Sequence, residues 1–302
     1  MSKEKDIYNY KILVHQLIEE GNIIKATSIY DRVYRSHKEN IELLYDMAMF
    51  YHEFVDPKRA LELYSEIVEL DGFEAGAYYG KAIIYDDLKD KEQAIFNYKQ
   101  ALEIDPDYYL AHLYLADIYD EVKQDDLVEI HLNKAIKSEP DNVLGYNHYG
   151  SFLESRNRDD EAMKMTLMAL EVDPNHYLSL FNKAVLLKKK GQVQEAIEYY
   201  EQSIVSKPTY AYGYLNQAVL YKELGDYEKA YQVLTSAILN NPDVSVLYYN
   251  RAIMLVRLGK LAQASDDVAM SVDLSPSLKK YALIDIELKG IDLSKINKPS
   301  VK

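Results

Sequence analysis

Residues 75–108 read AGAYYGKAIIYDDLKDKEQAIFNYKQALEIDPDY, and residues 211–244 read AYGYLNQAVLYKELGDYEKAYQVLTSAILNNPDV. Both segments place a small residue in each half, Ala82 and Ala94 in one, Ala218 and Ala230 in the other. Large apolar residues surround them at helical spacing: Tyr85, Tyr98 and Leu102, then Tyr221, Leu234 and Ile238. Apolar residues three and four apart share one face of an α-helix. Small residues on two such faces let the backbones approach closely. Each segment therefore reads as a helix-turn-helix hairpin, with Pro106 or Pro242 ending the second helix.

The pattern extends in both directions. Pro106, Pro140, Pro174, Pro208, Pro242 and Pro276 are each 34 residues apart, and the same step backwards reaches Gly72 and then Lys38. Eight units follow without insertion or deletion: 7–40, 41–74, 75–108, 109–142, 143–176, 177–210, 211–244 and 245–278. One small column holds Ala26, Ala60, Ala94, Ala162, Ala196, Ala230 and Ala264, with Val128 as the exception. A second holds Ala48, Ala82, Ala116, Gly150, Ala184, Ala218 and Ala252. Gly191, Gly225 and Gly259 mark the turn between helices. A fixed period of this length is the mark of a repeat architecture, in which each unit buries its apolar face against its neighbours.

This sequence resembles the tetratricopeptide repeat family over residues 7–278, in its period, both small columns, the aromatic before the turn and the terminal proline. It departs from the family pattern in lacking tryptophan, whose place is taken by Tyr10, Leu44, Tyr78, His112, Tyr146, Leu180, Tyr214 and Tyr248. The resemblance implies an all-α, right-handed superhelical solenoid whose first helices line a concave groove. It also implies that the second, fifth, sixth, ninth, twelfth and thirteenth residues of each repeat face that groove. Beyond the last repeat, Tyr281, Ala282, Ile286 and Leu288 read as the apolar face of a capping helix over 279–290, and 291–302 as a disordered basic tail.

Composition narrows the function classes. The 302 residues are 48% hydrophobic and 28% charged, with 35 Lys and Arg against 49 Asp and Glu, a net charge of −14. A surplus of carboxylates argues against nucleic acid, whose phosphates need cationic partners. No stretch approaches the ~20 apolar residues of a membrane-spanning helix, so no membrane insertion is expected. The polar start MSKEKDIYNY reads as cytoplasmic, and the Tyr- and Ile-rich, Trp-free usage suggests a bacterial source. There is no cysteine, and His15, His37, His52, His112, His131, His148 and His176 lack the spacing of a helical zinc site. Neither a phosphate-binding glycine loop nor a nucleophile elbow occurs. No catalytic residue, metal or cofactor is expected.

Candidate binding residues come from the groove columns. The sixth-residue column ends in Asn182, Asn216 and Asn250. Each amide offers a donor and an acceptor, so such a ladder can pair with the backbone of an extended peptide; the competing reading is local hydrogen bonding. The fifth-residue column supplies Tyr45, Tyr79, Phe181 and Tyr249 as flat anchors for apolar side chains, or alternatively as packing between repeats. Gly76 and Gly80 flank Tyr79 and would widen the groove there. Lys188, Lys222 and Arg257 give the C-terminal part a basic groove edge, whereas residues 41–176 carry 12 Lys and Arg against 30 Asp and Glu. The carboxylate clamp of the family's chaperone-binding members is missing, because Lys11 is followed by His15 and Asp46. The expected function is a scaffold or adaptor that holds a protein or peptide, as an extended chain or partner helix, in the concave groove. Self-assembly into a homo-oligomer through solenoid ends or convex faces is an alternative. A regulatory subunit of a separately encoded enzyme is a more distant one.

Overall fold

The computed structural model describes residues 3–297. Sixteen long helices form eight hairpins among the described residues: α1 (Lys3–Glu19) with α2 (Ile23–Tyr34), α3 (Ile41–Phe54) with α4 (Pro57–Leu70), α5 (Ala75–Asp87) with α6 (Lys91–Ile104), α7 (Tyr109–Glu121) with α8 (Asp125–Ser138), α9 (Val143–Ser155) with α10 (Asp159–Val172), α11 (Tyr177–Lys189) with α12 (Val193–Ser206), α13 (Ala211–Glu223) with α14 (Tyr227–Asn240), and α15 (Ser245–Arg257) with α16 (Leu261–Leu274). The chain divides into two compact units, Met1–Pro140 and Asp141–Lys302, each a stack of four hairpins.

Within each unit the small columns are the contact seams. Ala26, Ala60, Ala94 and Val128 are buried in the first unit, and Ala162, Ala196, Ala230 and Ala264 in the second. A larger side chain in these columns would push the hairpin apart, and overpacking of this kind costs roughly 1–3 kcal/mol. Between the seams the first unit buries Leu43, Leu44, Met47, Leu63 and Ile67, and the second Leu234, Leu247, Met254 and Val268. Each fully buried aliphatic of this size contributes about 1.5–3 kcal/mol.

The interhelix turn has its own two-residue code. Its first position is left-handed in seven of the eight repeats: Gly21, Lys89, Lys123, Asn157, Gly191, Gly225 and Gly259 all have positive φ. The eighth is Val55, with φ −130°, whose branched side chain disfavours that region. The next residue caps the second helix where its chemistry allows. Asn22, Asp56, Asp90 and Asp226 each accept a hydrogen bond from a backbone N–H of the first turn, whereas Gln124, Arg158, Gln192 and Lys260 make no such side-chain bond.

After α16 the chain continues into the expected trailing helical segment over 279–290, which is interrupted rather than regular throughout. A 3-10 turn, Pro276–Leu278, leads into the single-turn helix α17 (Lys279–Ala282), and a second 3-10 turn occupies Ile286–Leu288. The break has a local cause: Asp285 Oδ1 accepts from Glu287 N at 2.8 Å, so the side chain offers the backbone a partner that competes with the helix. Ala282 and Leu288 are buried, whereas Ile286 is exposed. Residues 291–297, expected as part of a disordered tail, instead form a 3-10 turn at Ser294–Asn297. Ile296 is buried there, with Ile291 and Leu293 packed on the last repeats. Residues 298–302 of that expected tail lie outside the described residues.

Candidate functional site

In the first unit, α3, α5 and α7 lie side by side and frame a concavity of about 720 Å³. Its lining is Tyr45, Met49, His52, Glu53, Tyr64, Tyr79, Gly80, Ile83, Asp87 and Tyr114. Nine of these ten sit at the fifth, sixth, ninth, twelfth or thirteenth position of a repeat, so a single helix face repeated three times makes the surface. Tyr64 is the exception, reaching through from α4.

The floor is aromatic. Tyr45 meets Tyr64 edge to face, with centroids 5.9 Å apart. Tyr79 lies 5.1 Å from Tyr108, 6.0 Å from Tyr98 and 6.2 Å from Tyr114. Such spacings fix the rings and leave their faces as apolar surface. Burial pushes the Tyr64 phenol up to about 12, and burial also raises Tyr79 and, together with Glu74, Tyr45. All three are therefore neutral near pH 7, and Tyr45 Oη donates to Glu74 Oε2 at 3.1 Å.

Gly80 and Gly76 serve these rings rather than widening the groove. A Cβ on Gly80 would lie 2.3 Å from the Tyr64 ring, and one on Gly76 would lie 2.8 Å from Tyr45 Oη. The space freed by each missing side chain is occupied by a tyrosine. Above the floor, Met49 is 63% exposed, and His52 Nε2 lies 2.8 Å from Asp87 Oδ2 on the rim. Two carboxylates, Glu53 and Asp87, border the apolar floor. Met49, Ile83 and Tyr114 were missed as candidates in the sequence, although Met49 and Ile83 share the ninth-residue column with an apolar signal of their own.

The other predicted residues lie in the second unit. Asn182, Asn216 and Asn250 occupy α11, α13 and α15 and are half-buried. Asn216 Nδ2 donates to Tyr212 O at 3.0 Å and Asn250 Nδ2 to Val246 O at 2.8 Å, both within their own helices. Asn182 Nδ2 reaches Asn147 Oδ1 at 3.5 Å. Leu144, Tyr212 and Val246, all second-position residues, are exposed beside this amide column. Phe181 packs on Tyr200 at 5.5 Å and edge to face on Tyr210 at 5.3 Å. Lys188 pairs with Glu223 at 2.9 Å. Tyr249, Lys222 and Arg257 all meet the segment that follows the last repeat: Tyr249 Oη donates to Asp285 Oδ2 at 2.7 Å, and Lys222 and Arg257 reach Glu287 at 2.8 and 3.3 Å.

Among the described residues no group of three or more His, Asp or Glu could hold a metal ion, and no helix is long and apolar enough to cross a membrane.

Comparison with known proteins yields one family. Tetratricopeptide repeat profiles match residues 75–108, 166–198 and 199–232, the last two starting in the second helix of a hairpin. No curated protein sequence matches the chain. Among solved structures, PilF of Pseudomonas aeruginosa is 22% identical, over 72% of this chain and 97% of that one, with a TM-score of 0.57. PilW, described as a widely conserved type IV pilus biogenesis factor, is 24% identical over 71% of this chain and 96% of that one, with a TM-score of 0.55. Yeast Tom70 is 18% identical over 92% of this chain and 58% of its own, with a TM-score of 0.69. At these identities the likeness concerns the fold. The 34-residue period, the paired helices, the small seams and the matched profiles together place the chain in the tetratricopeptide repeat family.

Proposed function

We propose that this chain is a protein-interaction scaffold that holds an extended peptide or a partner helix on the faces built by the first helices of its repeats. One observation carries the reading: the concavity of the first unit is lined almost entirely by repeat-face positions of α3, α5 and α7. An aromatic floor with an exposed methionine above it suits an apolar anchor side chain, because burying such a side chain against fixed rings costs little further ordering. The flanking Glu53 and Asp87 favour Lys or Arg beside that anchor. Tyr45 and Tyr79 are the anchoring rings of this proposal. In the second unit, Asn182, Asn216 and Asn250 are the proposed backbone contacts, with Phe181, Tyr249, Lys188, Lys222 and Arg257 around them. Oδ1 of Asn216 and of Asn250 accepts no hydrogen bond among the described residues, which leaves an acceptor on each for a passing backbone N–H.

Selection of peptides from a random displayed library on the full-length chain tests this. Peptides that converge on an apolar residue flanked by Lys or Arg, and that Met49→Arg no longer retains, support the first-unit site. Peptides lost only by the combined Asn182→Ala, Asn216→Ala and Asn250→Ala variant support the amide column. Peptides retained equally by all three folded proteins argue against both.

A further inference from the structure

In the second unit, charge pairing between successive first helices follows a rule that fails once. Lys188, at the twelfth position of its repeat, pairs with Glu223 at the thirteenth position of the next, 2.9 Å away. The same step from Lys222 reaches position 257, which holds arginine. Two cations thus face one another where the preceding pair of repeats sets a cation against a carboxylate. The missing carboxylate comes from beyond the repeats. Glu287 Oε2 lies 2.8 Å from Lys222 Nζ, and Glu287 Oε1 lies 3.3 Å from Arg257 Nη2. Two residues earlier, Asp285 Oδ2 accepts from Tyr249 Oη at 2.7 Å.

The segment Asp285-Ile286-Glu287 therefore sits on α13 and α15 as a ligand would. Its two carboxylates are directed at a phenol, an ammonium and a guanidinium. Its shape is set by its own turn, in which Asp285 Oδ1 accepts from Glu287 N. Its apolar residues are not used there, since Ile284 and Ile286 are 81% and 82% exposed. The cap proper is held by other residues: Ala282, Leu288 and Ile296 are buried on the last repeats. Ion pairs this close to solvent are each worth little, so the acidic pair can be exchanged for an equivalent one without dismantling the cap.

We propose that Tyr249, Lys222 and Arg257 form a recognition site for a partner segment bearing two carboxylates spaced i and i+2, and that Asp285 and Glu287 fill it as an internal competitor. The site differs in charge preference from the apolar concavity of the first unit and is tested apart from it; it shares Tyr249, Lys222 and Arg257 with the second-unit surface proposed above and to that extent rests on that reading.

The test uses the full-length chain and a fluorescein-labelled peptide of residues 282–289, ALIDIELK, read by fluorescence anisotropy. The Asp285→Asn, Glu287→Gln variant preserves side-chain shape and the buried Leu288 but removes the competing charges. It is expected to bind the peptide at least tenfold more tightly than the wild type does. Adding Lys222→Ala and Arg257→Ala should return binding to the wild-type level, and the peptide ALINIQLK, which lacks both carboxylates, should not bind. Equal binding by wild type and double variant, binding that survives loss of both cations, or no binding by the folded double variant would each overturn the proposal. Should the double variant not fold, hydrogen exchange on the wild type decides: saturating ALIDIELK should speed exchange at residues 283–291, and unchanged exchange there overturns the proposal.

Discussion

At Gly80 a single missing methyl group shapes the first-unit concavity. A Cβ there would come within 2.3 Å of the Tyr64 ring, which is 6% exposed. Gly80→Ala should destabilise the protein by about 2 kcal/mol, the usual cost of overpacking, as measured by urea unfolding. An unchanged midpoint would mean that Tyr64 moves freely. His112 and His131 make a second residue-scale device. His112, 1% exposed, has Nε2 3.0 Å from Pro106 O and Nδ1 2.8 Å from His131 Nδ1. The carbonyl requires a proton on Nε2, so Nδ1 accepts from His131 and the His112 ring is neutral. Burial, then His112 and the nearby Lys134 and Lys99, lower His131 to about 4, and burial also lowers His112. The folded state thus binds fewer protons than the unfolded state below about pH 6.5, and stability should fall as pH drops from there towards about 4. His131→Asn should flatten that part of the profile relative to wild type; identical profiles would contradict it. The sequence shows His112 as a replacement in the tryptophan column, but not its partner, because His131 comes from the other helix of the hairpin.

At the scale of the element, the turn column explains both what the sequence reveals and what it hides. Gly191, Gly225 and Gly259 announce the turn because glycine tolerates positive φ. Lys89 and Lys123 adopt φ of 63° and 60° in the same place, and nothing in their chemistry announces it. Closure of the hairpin imposes that conformation, which costs an ordinary L-residue roughly 1–2 kcal/mol. Lys89→Gly and Lys123→Gly should each raise stability by about 1 kcal/mol in chemical unfolding, whereas Val55→Gly, where φ is −130°, should lower it. Stabilisation at Val55 would show that the turns are interchangeable, which their backbone angles deny. The segment after α16 is the reverse case. Tyr281, Ala282, Ile286 and Leu288 read as the face of a short capping helix; the helical segment is present, but the Asp285 side chain interrupts it and Ile286 turns outward. Apolar spacing could not reveal this, because the decisive partners, Tyr249, Lys222 and Arg257, lie 30 or more residues away.

Over the whole molecule, the 34-residue period made the helix order readable, since six prolines and two small columns fix the register independently. The proposed binding face is legible in the sequence only in part. Tyr45 and Tyr79 belong to the concavity, but the surrounding Met49, Ile83 and Tyr114 become neighbours only when three first helices align. The division of the chain after Pro140 has no counterpart in the unbroken repeat spacing. Charge is also a whole-chain property: the net −14 and the carboxylates at Glu53 and Asp87 predict that a cationic peptide bound to the first unit is weakened by salt. Raising ionic strength from 50 to 500 mM should slow its association several-fold in stopped-flow measurements. A salt-independent rate would remove electrostatic steering from the account.

The most direct test of the scaffold reading is calorimetric titration of one library-selected peptide into the full-length wild type and Met49→Arg. The account predicts a one-to-one complex that Met49→Arg weakens at least tenfold with no change in melting temperature. Equal affinity for the two proteins would contradict it.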